Sequence, residues 1–320
     1  MHATNLAANR ACTLARVYDP NAEAAREVAA QYGCEVADDA EACFGGDIDA
    51  VVIASATSTH VDLLTRAVRA DTAVLCEKPL DLDIARVDAA KPTVEAAQVP
   101  VMVGFNRRFD ASHRALREAV CDGRIGTPEQ IVISSRDPDL PPRAYLAESG
   151  GLFRDMMIHD FDMARFVLGE EIVRVAAVGG ALVDPSVADL NDIDSAMVVM
   201  TTERGRLCHV NCSRRAVYGY DQRVEVHGAG GAMLSDNPTP ATTRVADGTG
   251  TGRAPVLYDF FLDRYAQAFA NQLAAFLTAV ETDRLGDPGF HDGRQALRLA
   301  DAATRAWQRG EVVEIDPVGA

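Results

Sequence analysis

Lysine is nearly missing from this chain. Of 31 basic residues only Lys78 and Lys91 are lysine, each followed by proline. There is no basic run and no basic–aromatic stripe, and 47 acidic residues bring the formal net charge to −16. That excludes the footprint by which proteins hold a phosphate backbone, so no nucleic-acid partner is expected. No apolar stretch approaches the roughly 18 residues of a membrane span, and the first residues carry no secretory-signal pattern, so no membrane partner is expected. The seven cysteines (Cys12, Cys34, Cys43, Cys76, Cys121, Cys208 and Cys212) are odd in number and include no C-x-x-C pair. Such scatter suits a reducing cytoplasm and argues against both a disulfide framework and a zinc site. No metal is expected.

What is present is a chain of 320 residues, 48% hydrophobic and 24% charged, which is about two domains of ordinary globular composition. Its first hundred residues alternate strand and helix. Strands are predicted at 14–18, 49–54, 72–76 and 100–104, and Asp49–Ala54 reads as buried on both faces because it is apolar at successive positions. Helices are predicted from Pro20 to Tyr32, after Ser58 or Thr59 with Val61, Leu64, Ala67 and Val68 on one face, and from Ile84 to Ala97. Alternation at this spacing implies βαβ units and a Rossmann-like, doubly wound parallel sheet. Beyond Gly104, helices are expected at 110–121, 156–168, 260–282 and 291–309. Strand-like runs at 129–136, 171–181, 193–201, 206–213, 222–228 and 312–315 have few helices between them. The expected fold is α/β: a dinucleotide-binding domain over 1–104, then an α+β domain over 105–320 on an open, mainly antiparallel sheet.

Four segments carry chemistry. Asp19 closes the 14–18 strand, where a carboxylate can accept hydrogen bonds from ribose hydroxyls and repel a 2′-phosphate; a turn or cap before Pro20 is the plainer role, and the βαβ context favours NAD. Cys76-Glu77-Lys78-Pro79-Leu80 puts a glutamate and a lysine at the carboxyl end of a parallel strand, where open α/β sheets bind ligands; a salt bridge is the alternative. On a helix, Asp155 and His159 stand at i and i+4, with Asp162 three residues further on, so an imidazole is flanked by carboxylates on one face. That arrangement suits general-base removal of an alcohol proton, and metal ligation ranks below it. Ser213–Arg223 is dense in hydrogen-bonding groups, serving either a ligand or a subunit contact. The glycine-rich stretches do not read as phosphate loops: His227–Gly231 is a hairpin turn, and Gly248–Gly252 is a flexible loop.

With Cys76–Leu80, Gly104-Phe105-Asn106-Arg107-Arg108-Phe109-Asp110, Asp155–Asp162 and Tyr218-Gly219-Tyr220-Asp221-Gln222-Arg223, the chain resembles the Gfo/Idh/MocA oxidoreductases, most closely their inositol 2-dehydrogenase branch. The resemblance runs from Met1 to about Ile315. It implies a homo-oligomer (a dimer, or a homotetramer) built through the C-terminal sheet. It places Lys78, Asp155 and His159 on catalytic positions, and Arg108, Asp162 and Tyr218 or Tyr220 on polyol contacts. It places Asp19, Glu77 and the turn Ala56-Thr57-Ser58-Thr59-His60 on cofactor contacts. The implied reaction is NAD-dependent oxidation of a cyclic polyol, myo-inositol at its 2-hydroxyl, to a ketone. A dehydrogenase of another sugar or cyclitol, or a catalytically impaired NAD- or sugar-binding protein, is the alternative. One element of the pattern has no counterpart: the first strand and its G-x-G-x-x-G, for Met1–Leu6 reads as the helix that follows such a loop. A working dehydrogenase is therefore expected to carry about 10–20 further residues upstream, and the given chain alone is expected to bind NAD poorly and to be marginally stable.

Overall fold

A computed structural model describes residues 1–316. The chain divides into two compact units: Met1–Phe109 with Gln267–Leu297, and Asp110–Ala266 with the segment from Arg298 onward. This differs from a single cut after Gly104. Residues 267–297 go with the first unit because they bond to its last strand: Gln272 Nε2 donates to the Val103 carbonyl at 3.1 Å, and the Val103 N–H donates to that of Pro288 at 2.8 Å.

In the first unit, β1 (Arg16–Val17) pairs in parallel with β2 (Glu35–Val36). Separately, β3 (Ala50–Ile53), β4 (Ala73–Cys76) and β5 (Val101–Val103) form a parallel ladder in that order. The two ladders share no pairing among the described residues. This corrects the expectation for Asp49–Ala54. All four residues of β4, with a neighbour on each side, are buried, whereas Ala50, Val51 and Val52 of β3, paired only to β4, are half-buried. The helices follow the expected logic. Asn21 caps Ala22–Tyr32 by accepting the Glu23 N–H, and Gly33 ends it in the left-handed conformation (φ 73°), which glycine adopts without steric cost. The His60–Arg69 helix buries Val61, Leu64, Ala67 and Val68, the face its periodicity marks.

The second unit is built on a seven-stranded sheet. Its strands are β6 (Pro128–Arg136), β7 (Ile172–Gly180), β8 (Ser195–Thr202), β9 (Leu207–Ser213), β10 (Asp221–Gly228), β11 (Gly231–Ser235) and a last strand, Val313–Glu314, at the edge beside β7. The order is β11-β10-β6-β9-β8-β7 and then that edge strand. All pairs are antiparallel except β6 with β9. Residues alternate between a face buried under helices and an open face. The covered face supplies Ile131, Ile133, Val175, Val198, Val210 and Val226 to a core shared with Phe161, Val167 and Leu299. Ala229-Gly230 joins β10 to β11 as the expected hairpin. The Gly248–Gly252 stretch, expected to be a loop, instead lies in an exposed two-stranded hairpin of Val245–Asp247 with Gly250–Arg253.

One local expectation fails. Asp155 and His159 do not lie on one helix. Leu152–Asp155 is a single turn, and a new helix runs Ile158–Leu168. Gly151 (φ 86°) and a bond from the Leu152 N–H to Asp192 Oδ1 (2.9 Å) set the first turn, and at Met157 the backbone reaches back to Leu152 at i−5. No helix of the described residues is long and apolar enough to cross a membrane.

Candidate active site

In the first unit the carboxyl ends of the parallel strands carry the residues the sequence singled out. Asp19 follows β1 and is exposed; its Oδ1 accepts the Asn21 N–H at 2.8 Å. After β3, Ala56 and Ser58 are exposed around a turn of 3₁₀ helix, Thr57–Thr59. The Thr59 hydroxyl tightens that turn by donating to the Ala56 carbonyl at 2.7 Å. After β4, Glu77 and Lys78 are half-buried, and Glu77 Oε2 accepts the backbone N–H of Lys78 at 3.3 Å. The exposed Asp19 carboxylate after β1 and the exposed polar turn after β3 have the chemistry to meet the hydroxyls and phosphate oxygens of NAD.

Three of the expected contact residues are buried. His60, expected to face the cofactor, is buried, with Nδ1 2.7 Å from the Pro79 carbonyl oxygen and Nε2 3.0 Å from that of Ser55; it ties the two strand-end loops together. Arg108, expected to touch the polyol, is buried and donates to Asp287 at 3.2 Å and Asp292 at 2.8 Å. Tyr220 is 4% exposed and meets Tyr265 edge-on at 6.0 Å; Tyr218, 43% exposed, is the accessible one of the pair.

In the second unit the chemistry centres on Asp155. Its Oδ1 accepts the Tyr145 hydroxyl at 2.7 Å, and its Oδ2 accepts Arg214 Nη2 at 2.9 Å. Arg214 is 1% exposed; burial works against its charge, but the Asp155 carboxylate more than offsets that and holds the guanidinium above its ordinary range. Loss of water from its hydroxyl, and then the adjacent carboxylate, push the Tyr145 phenol well up. These two donors fix the orientation of the Asp155 carboxylate. His159 is half-buried near the start of the Ile158–Leu168 helix, and Asp162, one turn on, is buried. Tyr145 was not singled out from the sequence, and Arg214 only as a member of the polar Ser213–Arg223 run. They lie 10 and 59 positions from Asp155, at no helical or strand spacing.

A second polar centre surrounds Asp221, whose buried carboxylate accepts from Tyr218 (2.9 Å), Arg136 (2.9 Å), Arg223 (2.8 Å) and Asn237 (2.6 Å). Burial would raise its pKa, but the bonds from Arg223, Tyr218 and Asn237 carry it below the usual carboxylate range. Tyr218, Asp221, Arg223 and Asn237 help line an open cleft of about 470 Å³. No group of three or more His, Cys, Asp or Glu side chains among the described residues is placed to hold a metal ion.

Comparison with known proteins adds to this geometry. Residues 1–105 match an oxidoreductase family with an NAD-binding Rossmann fold, and residues 113–234 match the GFO/IDH/MocA C-terminal domain. An inositol 2-dehydrogenase of Rhizobium meliloti is 48% identical over 96% of this chain and 92% of its own length. A myo-inositol 2-dehydrogenase of Thermotoga maritima is 39% identical over 99% of this chain and 96% of its own. The crystal structure of a myo-inositol dehydrogenase from Corynebacterium glutamicum superimposes with a TM-score of 0.94 at 43% identity, covering 99% of this chain and 95% of that one.

Proposed function

Because the chain belongs to the GFO/IDH/MocA family of NAD-binding oxidoreductases, we propose that it oxidises the 2-hydroxyl of myo-inositol to a ketone, with NAD as its cofactor. The observation that carries the substrate class is the near full-length likeness to inositol 2-dehydrogenases, at 48% identity. NAD, when bound, supplies the acceptor for the hydride of the carbinol carbon. Asp19 and the Ala56–Ser58 turn are the residues that would hold it.

The remaining chemistry belongs to the side chains. His159 takes the hydroxyl proton, for which a neutral imidazole is the natural base near neutral pH. Asp155, held in place by Arg214 and Tyr145, balances the charge that His159 acquires. Lys78 stabilises the oxygen as its proton leaves. Tyr218 and Asp162 serve the remaining hydroxyls of the ring. The protein acts in the cytoplasm, a setting supported by seven cysteines that are all free thiols. It works as a homo-oligomer, a dimer or tetramer, through the open sheet face, whose Val178, Met197, Val199 and Leu207 are exposed side by side on β7, β8 and β9. Cofactor reduction followed at the NADH absorbance, with myo-inositol, scyllo-inositol and a set of aldoses, tests the reading. Turnover led by an aldose, or none at all with intact folding, overturns it.

A further inference from the structure

Glu77, which the sequence reading places among the cofactor contacts, is enclosed on three sides. Its Oε1 lies 2.7 Å from Nε2 of His2, at the head of the His2–Ala8 helix, and the His2 ring meets Phe269 edge-on at 5.6 Å. Its Oε2 accepts the Lys78 N–H. Behind it stands Gly104, whose own N–H donates to the Cys76 carbonyl at 2.7 Å; a Cβ there would fall 2.6 Å from Oε2 and 2.8 Å from Cδ. A side chain at this position would push the Glu77 carboxylate out of its place.

We propose that His2 and Gly104 are positioning residues for Lys78, acting through Glu77 as a bracket at the carboxyl end of β4. The proposal rests on the catalytic role given to Lys78 above. Both members of the His2–Glu77 pair are about four-fifths out of solvent, with side chains 19% and 20% exposed. A carboxylate so placed keeps its charge only while partnered. Burial pushes Glu77 up, yet the bond and charge of His2, with the charge and N–H of Lys78, hold it below the usual carboxylate range. The titratable groups around it are His2, Lys78 and the Cys76 thiol, itself raised by burial and by the Glu77 charge; Phe269 and Gly104 bring none. Without His2, Glu77 takes up a proton at higher pH, becomes a weaker acceptor for the Lys78 N–H, and no longer attracts the ammonium.

The scarcity of lysine makes this measurable without turnover. Reductive ¹³C-methylation labels only Lys78, Lys91 and the terminal amine. In the unaltered protein the Lys78 methyl signal is expected to follow one acid-side titration that Lys91 does not share and that Glu77→Gln abolishes. In His2→Leu that titration moves up by about one pH unit or more, and kcat for inositol oxidation falls about tenfold with KM little changed. His2→Gln, which still donates one hydrogen bond, recovers most of the rate, and Gly104→Ala behaves as His2→Leu does. A Lys78 signal with no such titration in the unaltered protein overturns the proposal, whatever the variants do. So does a titration that His2→Leu leaves in place while the variant still melts cooperatively. If the titrations behave as stated and no polyol is oxidised, the bracket stands and the functional reading falls.

Discussion

Lys78 is one of only two lysines in the chain, and it sits at the end of a strand whose residues are all buried. Its proposed work is local to one oxygen atom, so Lys78→Ala should lower kcat by about 10²–10⁴ while leaving the melting temperature nearly unchanged. Steady-state rates beside a thermal melt check this, and near-normal turnover would return Lys78 to a purely structural role. Asp19 makes a separate claim. Its exposed carboxylate meets a ribose hydroxyl as an acceptor and a 2′-phosphate as a like charge. NAD should therefore be preferred to NADP in kcat/KM, and Asp19→Ser should narrow the gap chiefly by improving NADP. Equal kcat/KM for the two cofactors in the unaltered protein would remove Asp19 from the cofactor site.

Among the elements, the Ala111–Cys121 helix shows how one residue couples local and tertiary structure. Asp110 caps it by accepting the N–H groups of Ser112 (3.0 Å) and His113 (3.2 Å), and it also accepts Arg264 Nη1 at 2.7 Å. Burial raises its pKa, but His113 and Arg264 together bring it below the usual carboxylate value. A carboxyl depressed in the folded state contributes stability that is present above the unfolded pKa, about 3.9, and is lost as pH falls through the folded value. Asp110→Ala should cost about 1–2 kcal/mol near neutral pH and flatten the acid limb of the stability curve. Urea melts at several pH values measure both; a parallel acid limb in the variant would remove Asp110 as its source. The broken helix at 155–158 teaches a different lesson. The spacing of Asp155, His159 and Asp162 is helical in sequence, yet Gly151, with its positive φ, and the bond that the Leu152 N–H donates to Asp192 impose a separate first turn.

At the scale of the whole molecule, the open face of the seven-stranded sheet is the feature that a lone chain leaves unexplained. Its register sets Val178 of β7 beside Met197 of β8, with Val199 two residues further along β8, so apolar side chains on neighbouring strands stand in contact with water. An exposed apolar sheet face is a surface for burial against another copy. Met197→Asp should shift the mass measured by light scattering toward the monomer while leaving the secondary structure unchanged. An unaltered mass would place the subunit contact elsewhere.

The residues themselves determined a good deal. The buried strands β4 and β5 announced themselves as short apolar runs, and the face of the His60–Arg69 helix as a 3.6-residue period, because burial acts on each side chain where it stands. The alternation of β8 to β10 and the Ala229-Gly230 turn were legible for the same reason. Lys78 was visible as a rare residue type at the carboxyl end of a parallel strand, where open α/β sheets bind their ligands. What local pattern could not carry was partnership across the chain. Tyr145 and Arg214 hold Asp155, His2 and Gly104 enclose Glu77, and His60 and Arg108 bond to partners further along the chain, because each outcome depends on residues ten to nearly two hundred positions away. A side chain's chemistry is written in its type. Whether that chemistry faces a ligand or a neighbour is decided only when the folded chain brings the neighbour within about 3 Å.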